Sequence, residues 1–158
     1  MDSAIALLET RGFTADDFAR SHPAGSLGRR LLLHVDEVMH RGERLPRVTL
    51  GTTLRATLEE MSRKGLGMSA VVDAEGRLAG IFTDGDLRRA LDRGIDLHRT
   101  AIDAVLTRDC ITIAADALAA EALRLMESRS INGLLVVDDA GRPIGALNMH
   151  DLLRAGVM

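Results

Sequence analysis

The sequence has very few aromatic residues: it contains no Trp or Tyr, and aromatic side chains make up only 2% of the chain. The hydrophobic core must therefore be aliphatic, and the aromatic platforms that stack the bases of single-stranded nucleic acid are nearly excluded. An excess of positive charge is also lacking, because the formal net charge is −3. That balance argues against general binding to a phosphate backbone. We therefore expect no nucleic-acid partner.

Cysteine and long apolar runs are equally scarce. The single cysteine, Cys110, rules out a disulfide within one chain and suits a reducing compartment. No apolar run approaches the length of a membrane span, and the first residues do not resemble a signal peptide. The histidines and Cys110 have no metal-ligand spacing. We therefore expect a cytoplasmic protein with no membrane partner and no metal site.

The sequence does contain an internal repeat. The stretch "GIFTDGDLRRAL", which begins at Gly80, is followed 65 residues later by "GALNMHDLLRAG", which begins at Gly145. The same offset pairs Met61 with Met126, Asp73 with Asp138, Gly76 with Gly141, Arg77 with Arg142 and Asp86 with Asp151. Near the start of each half, "DEVM" pairs with "DAVL" after a two-residue gap. The repeat indicates a duplication.

Each half predicts the order β-α-β-β-α. A short strand, "PRVTL" or "CITIA", precedes a helix in which apolar residues recur at helical spacing. Two strands follow, "MSAVV" and "LAGIF" or "GLLVV" and "PIGAL", with Asp/Gly-rich turns that are hairpin signals. A closing helix begins near Thr83 or Asn148. The prediction is an α/β (α+β) fold with pseudo-twofold symmetry, with halves at residues 34–97 and 98–158.

Residues 1–33 lie outside the repeat. They read as the end of an amphipathic helix, a second capped helix and a Gly-rich connector. Because a domain would rarely begin inside a helix, we expect this segment to be the remnant of an upstream domain and its linker.

The corner between the third strand and the closing helix is a candidate anion site, because the first N–H groups of a helix are unpaired and carry partial positive charge. Thr83 could hydrogen-bond a phosphate there, Asp86 could accept from the cis-diol of a ribose, and Gly85 lets a ligand approach the backbone. The alternative is that Thr-x-x-Asp is a capping box, which satisfies the helix's own amides. The same pattern occurs at Thr14…Asp17 and Thr100…Asp103.

The duplicated unit, with G-h-h-T-x-x-D closing its third strand, resembles a tandem cystathionine-β-synthase-type (CBS) domain pair over residues 34–156. In that family the pair is a regulatory module that binds nucleotides in its clefts. The resemblance implies that Asp86 and Asp151 contact ribose hydroxyls and that Thr83 contacts phosphate. The second half departs from the pattern with Asn148, which can cap a helix equally well. We therefore expect two clefts that are not equivalent.

Three segments, "RGFTADDFARSHPAGSLGRRLL", "IFTDGDLRRAL" and "MHDLLRAGVM", are similar to the C-terminal half of D-arabinose 5-phosphate isomerases. Those enzymes join a sugar-isomerase (SIS) domain to a CBS pair and interconvert ribulose 5-phosphate and arabinose 5-phosphate for synthesis of the lipopolysaccharide sugar Kdo. The resemblance matches His22 to an active-site histidine, although a connector histidine is the alternative. Without the catalytic SIS domain this fragment has no catalytic residues of its own and should be inactive alone.

The resemblance implies a nucleotide effector rather than a cofactor, and pathway position makes the nucleotide sugar CMP-Kdo the leading candidate. The alternatives are an adenine-nucleotide sensor and an oligomerisation module without a ligand. The expected partners are the protein's own SIS domain and further copies of the chain. Arg129 and His150 are candidates for an anionic group, although exposed helix residues are the alternative. The full set of candidate ligand-binding residues is Met68, Ser69, Thr83, Asp84, Asp86, Arg129, Asn148, His150 and Asp151.

Overall fold

The computed structural model describes residues 32–158, which form two three-stranded sheets of the same design. The first half contains β1 (Arg47–Thr49), α1 (Leu54–Lys64), β2 (Met68–Val72), β3 (Leu78–Thr83) and α2 (Asp84–Asp92). The second half contains β4 (Thr112–Ile113), α3 (Ala119–Arg129), β5 (Gly133–Val137), β6 (Pro143–Asn148) and α4 (Met149–Arg154). The predicted β-α-β-β-α order is confirmed in both halves. His22 and the pattern Thr14…Asp17 lie outside the described residues.

Both sheets have the same pairing. The first strand runs parallel to the middle strand, and the last strand is antiparallel to it. The predicted hairpin turns are confirmed, and an aspartate organises each of them. The carboxylate of Asp73 accepts from the backbone N–H groups of Glu75 and Arg77, both at 2.9 Å, and Asp138 makes the corresponding contacts in the second half.

The helix ends follow local sequence signals. Thr53 caps α1 by accepting from the N–H of Ala56, and Gly65 ends this helix at φ 71°, as a left-handed C-cap requires. The pattern Thr100…Asp103 does not form a capping box. Ala101 precedes the 3₁₀ turn Ile102–Ala104 without a side-chain cap, because the Asp103 carboxylate instead accepts from the N–H of Gly51 at 2.7 Å.

The two sheets pack against each other, with the helices on their outer faces. The layer between the sheets contains Ala70 and Ile81 from the first half and Leu135 and Ala146 from the second. On the opposite face of β2, Val71 packs with the residues of the first helical core, such as Leu54. Burial on both faces explains why β2 is a continuous apolar run rather than an alternating one.

A lead-in segment precedes the first strand of each half, residues 35–40 before β1 and residues 102–107 before β4. Each lead-in segment packs on the other half. Val35, which precedes β1, is buried in the core of the second half beside Met126 and Leu134. His40 exchanges two backbone hydrogen bonds with Ala146 of β6, at 2.8 and 3.0 Å. The predicted boundaries at residues 34–97 and 98–158 follow the repeat, whereas the packing crosses them.

The lead-in segment before β4 packs on the first half in the same way. Ile102 is buried in the core of the first half, and Thr107 pairs with Ile81 of β3 through hydrogen bonds of 2.8 and 2.9 Å. Two glycines make room for these crossings. A Cβ on Gly80 would overlap the carbonyl oxygen of Thr107, and a Cβ on Gly145 would overlap the side chain of Met39. The chain is therefore interlocked by an exchange of lead-in segments.

Candidate functional site

A cavity of about 620 Å³ lies where the two halves meet. Its walls include the start of α2 and the start of α4, so the corner that the sequence repeats occurs twice around one space. The sequence predicted one such corner for each of two clefts, whereas the structure brings both to the same cavity. Its volume is in the range of small-molecule sites. Six of the predicted site residues line it: Met68, Thr83, Asp84, Asp86, Asn148 and His150.

The other three predicted residues are not among the described residues that line this cavity. Ser69 is fully buried, and its hydroxyl donates to the carbonyl oxygen of Ala70 at 3.0 Å. Arg129 is exposed at the end of α3, although the next residue, Ser130, lies on the cavity wall. Asp151 is buried, and its carboxylate is engaged within the protein.

Asp86 is held at the start of α2 by a capping box, as one of the two sequence interpretations predicts. Its Oδ2 accepts from the N–H of Thr83 at 3.0 Å and from the Thr83 hydroxyl at 3.2 Å. Its Oδ1 accepts from the Arg89 guanidinium at 2.6 Å and from the Thr107 hydroxyl at 2.9 Å. Because a carboxylate has about four acceptor positions, these four donors saturate Asp86. The residue is 6% exposed, yet it forms part of the cavity wall.

The second half repeats this arrangement with different partners. Asn148 accepts from the N–H of Asp151 at 2.9 Å, and Asp151 accepts from the N–H of Asn148 at 2.8 Å. The prediction that Asn148 caps its helix is therefore confirmed. Asp151 Oδ1 accepts from His40 Nε2 at 2.8 Å and from Arg154 at 3.1 Å. His40 thus occupies the position that Thr107 has in the first half.

Sequence reasoning missed His40 and Thr107 as partners of the two repeated aspartates. A signal was present, because the alignment of "DEVM" with "DAVL" extends by one residue to pair His40 with Thr107. The alignment does not state which sheet each segment crosses. The exchange of lead-in segments, which brings each residue to its aspartate, becomes visible only in three dimensions.

The charged side chains of the cavity are mostly acidic. The part of the chain that the structure describes contributes Asp84, Asp86 and Asp109 to the wall, against one guanidinium, that of Arg89. The N-terminus of α2 adds partial positive charge. Cys110 also lines the cavity, and burial raises the pKa of its thiol, with the nearby charge of Asp109 acting in the same direction and its own backbone hydrogen bond in the opposite one.

The chain belongs to the CBS domain family: residues 35–93 and 102–157 each match the model of the CBS domain. Its curated relatives share much of its sequence. Arabinose 5-phosphate isomerase KdsD of Pseudomonas aeruginosa is 67% identical over 98% of this chain and 48% of its own length. KdsD of Escherichia coli strain K12 is 50% identical, with 98% and 47% covered. The chain thus spans about half the length of the curated relatives it matches.

Solved structures with the same fold include two CBS proteins with bound ligands. The CBS domain pair of protein MJ0100, in complex with 5′-methylthioadenosine and S-adenosyl-L-methionine, superposes with a TM-score of 0.70 at 23% identity, covering 78% of this chain and 94% of that one. CBSX2 in complex with AMP gives a TM-score of 0.67 at 24% identity, covering 79% and 96%. These similarities establish the fold. Within residues 32–158, no helix is both long and apolar enough to cross a bilayer.

Proposed function

We propose that this chain is the regulatory CBS pair of an arabinose 5-phosphate isomerase and that its cavity binds a nucleotide effector. The observation that carries the proposal is the convergence of six predicted site residues from both halves on one cavity of about 620 Å³. The identity to the KdsD isomerases supports the assignment to that enzyme, and the adenosine ligands of two CBS neighbours support the ligand class. Isomerisation itself belongs to an SIS domain, which is the proposed partner of this module.

CMP-Kdo is the proposed effector, because an activated end product is a suitable signal for an early enzyme of its own pathway. Its phosphate would lie near Thr83 and the N-terminus of α2, where the positive end of the helix dipole favours an anion. Its sugar carboxylate would face His150, which lines the same cavity from the second half. The effector would regulate the isomerase in the cytoplasm by binding two arrangements of the module with different affinity.

A titration on the isolated chain tests this proposal. Calorimetry and thermal unfolding would be measured with CMP-Kdo, CMP, AMP and ATP. A ligand at 100 times its Kd should add about 2.7 kcal/mol of stability, which is a readily measured shift. Preference for the cytidine ligands supports CMP-Kdo sensing, and preference for AMP or ATP supports an adenine-nucleotide sensor instead. No response to any nucleotide would contradict the proposal.

Two matched variants separate ligand binding from helix capping. Asp86→Ala and Asp151→Ala each remove the carboxylate of a capping box, which should cost about 1 kcal/mol of stability or more in either half. Only Asp86 lines the cavity. We therefore expect Asp86→Ala to weaken binding by about tenfold or more, since each lost hydrogen bond to a charged group is worth about 1.5 kcal/mol or more. Equal binding by the two variants would contradict this assignment of the site.

Association with a second copy is the other proposed role of the module. Leu91 of α2 and Leu153 of α4 are large apolar side chains that remain more than half exposed on the outer helices, and burial of such side chains against a second copy is favourable. Sedimentation velocity of the wild type and of a Leu91→Ser, Leu153→Ser double variant tests this. A monomeric wild type would contradict it.

A further inference from the structure

Arg89 has a special position among the residues that line the cavity. In the described part of the chain it is the only Arg or Lys on the cavity wall, which also contains three aspartates. Its guanidinium nitrogens lie 3.6 Å from the position that a Cβ on Gly85 would take. The guanidinium therefore covers the first turn of α2, which is where an anionic ligand would approach the helix.

The contact between Arg89 and Asp86 is the exchangeable one of the four that saturate the Asp86 carboxylate. The two contacts from Thr83 belong to the helix cap, and Thr107 is fixed by its backbone pairing with Ile81. The Arg89 side chain is 69% exposed whereas that of Asp86 is 6% exposed, so water competes for the guanidinium and weakens its hold on the carboxylate. A ligand can therefore displace Arg89 without unfolding α2.

The excess of negative charge on the cavity wall means that a bound anion needs the displaced Arg89 as its partner. Three carboxylates against one guanidinium would repel a phosphate unless Arg89 paired with it. Because the guanidinium already lies over Gly85 in the first turn of α2, a rotation of the side chain would turn it from Asp86 to an anion bound there. That movement would free one acceptor position on Asp86 Oδ1 for a sugar hydroxyl, while Thr107 keeps the other.

We propose that Arg89 is the residue by which this site distinguishes nucleotides from nucleosides. It exchanges Asp86 for the phosphate of the ligand, and the ribose diol takes the acceptor position that it leaves. A nucleoside gains the same diol contact but offers Arg89 no new partner, so its binding is opposed by the broken ion pair. This inference depends on the proposed nucleotide site and adds the basis of its selectivity.

The duplication supplies a matched control. Arg154 makes the same ion pair with Asp151 in the second half, at 3.1 Å, and it is not among the described residues that line the cavity. The two arginines occupy equivalent positions of the repeat and have similar exposure, 69% and 63%. Replacing either one with glutamine removes a charge of the same kind, but only Arg89→Gln changes the cavity.

The experiment measures Kd by calorimetry for CMP, cytidine, AMP and adenosine with the wild type, Arg89→Gln and Arg154→Gln. In the wild type we expect a monophosphate to bind about tenfold more tightly than its nucleoside, because charge-assisted bonds from arginine to phosphate are strong. In Arg89→Gln the monophosphate should weaken and the nucleoside should strengthen, so that this preference disappears. Arg154→Gln should keep the wild-type preference. Arg89→Lys should restore part of it, since lysine keeps the charge without the bidentate geometry.

The outcomes separate the two proposals. A monophosphate that binds the wild type with a preference unchanged in Arg89→Gln would overturn the role of Arg89 and leave the nucleotide site standing. An equal loss of preference in Arg154→Gln would also overturn it, because the effect would then come from net charge. Absence of nucleotide binding to the wild type would overturn both. Thermal unfolding of each variant, and the Arg89→Lys result, guard against a loss of binding that comes from misfolding.

Discussion

At the level of single residues, the Cys110 thiol provides a chemical probe of the candidate site. It is the only cysteine of the chain and it lines the cavity. Because burial raises the pKa of its thiol and the thiolate is the reactive form, we expect slow modification by a disulfide reagent near neutral pH. The rate should rise as the pH approaches the raised pKa.

The same thiol reports on ligand binding. A nucleotide that fills the cavity should shield Cys110, so saturating CMP-Kdo or CMP should slow its modification, followed by absorbance or by mass. Cys110→Ser provides the blank for the reagent. An unchanged rate at saturating ligand would place the bound nucleotide elsewhere on the protein.

Glu60 should contribute to stability in a pH-dependent way. Its carboxylate accepts from the N–H of Arg47 at 3.0 Å and from Lys64 at 3.0 Å. Burial opposes ionisation, but the backbone hydrogen bond from Arg47 and the charges of Lys64 and Arg63 outweigh it, so the pKa of Glu60 lies below its ordinary value of 4.5. A carboxyl with a lowered folded-state pKa stabilises the fold fully above its unfolded-state pKa and loses that effect as the pH falls through the folded-state value.

We therefore expect Glu60→Gln to lower the free energy of unfolding by about 1 kcal/mol at pH 7. The difference from the wild type should shrink once the pH falls below 4.5, the ordinary value for glutamate. Urea denaturation at several pH values measures both quantities. Glu59→Gln is the control, because Glu59 lies on the same helix but is exposed and pairs only loosely with Arg55, at 3.4 Å. Equal losses for the two variants would contradict a special role for Glu60.

At the level of elements, the two glycines that contact the lead-in segments should differ in their tolerance of alanine. A Cβ on Gly80 would overlap the backbone carbonyl of Thr107, which is held in place by its pairing with Ile81. A Cβ on Gly145 would meet the side chain of Met39, which can change rotamer. We expect Gly80→Ala to cost about 2 to 3 kcal/mol and Gly145→Ala about half of that. Chemical denaturation measures both, and equal costs would contradict the proposed difference in rigidity.

The regular elements were predictable because their signals are local. The apolar runs gave β2 and β5 with the boundaries that the structure has, and the Asp/Gly turns gave both hairpins. Predictions were weaker where the apolar run is short or where the same sequence pattern is compatible with more than one contact. The run "CITIA" yields only the two-residue strand β4. Thr100…Asp103 matches a capping box by sequence, but the structure gives Asp103 a partner 52 residues away.

The candidate site was predictable only in part, for a related reason. The capped corners at Thr83 and Asn148 are local features and could be found from the repeat. The saturation of Asp86 could not, because one of its four donors depends on tertiary placement: the Thr107 hydroxyl arrives from the lead-in segment of the other half. The contact from Arg89, three residues further along the same helix, is local. A motif identifies the residues of such a site, whereas the contacts around them decide what remains available to a ligand.

At the level of the whole molecule, the exchange of lead-in segments makes each half incomplete by itself. Ile102 is a buried residue of the first half's core, although it lies beyond the predicted boundary at residue 97. Conversely, Val35 lies within the predicted first half but is buried in the core of the second. The cavity is formed by both halves, so the interlocking that completes the two cores also builds the candidate site.

Two fragments of similar length test this interlocking. The fragment 34–97 follows the repeat: it leaves Val35 without its core and lacks Ile102. The fragment 41–107 follows the packing: it omits Val35 and keeps Ile102 together with the pairing of Thr107 to Ile81. Since deletion of a large buried aliphatic side chain typically costs about 2 to 5 kcal/mol, we expect fragment 41–107 to be more helical by circular dichroism and to resist urea better. Equal stability of the two fragments would contradict the exchange, because both contain every helix and strand of the first half and differ only in which lead-in segment they carry.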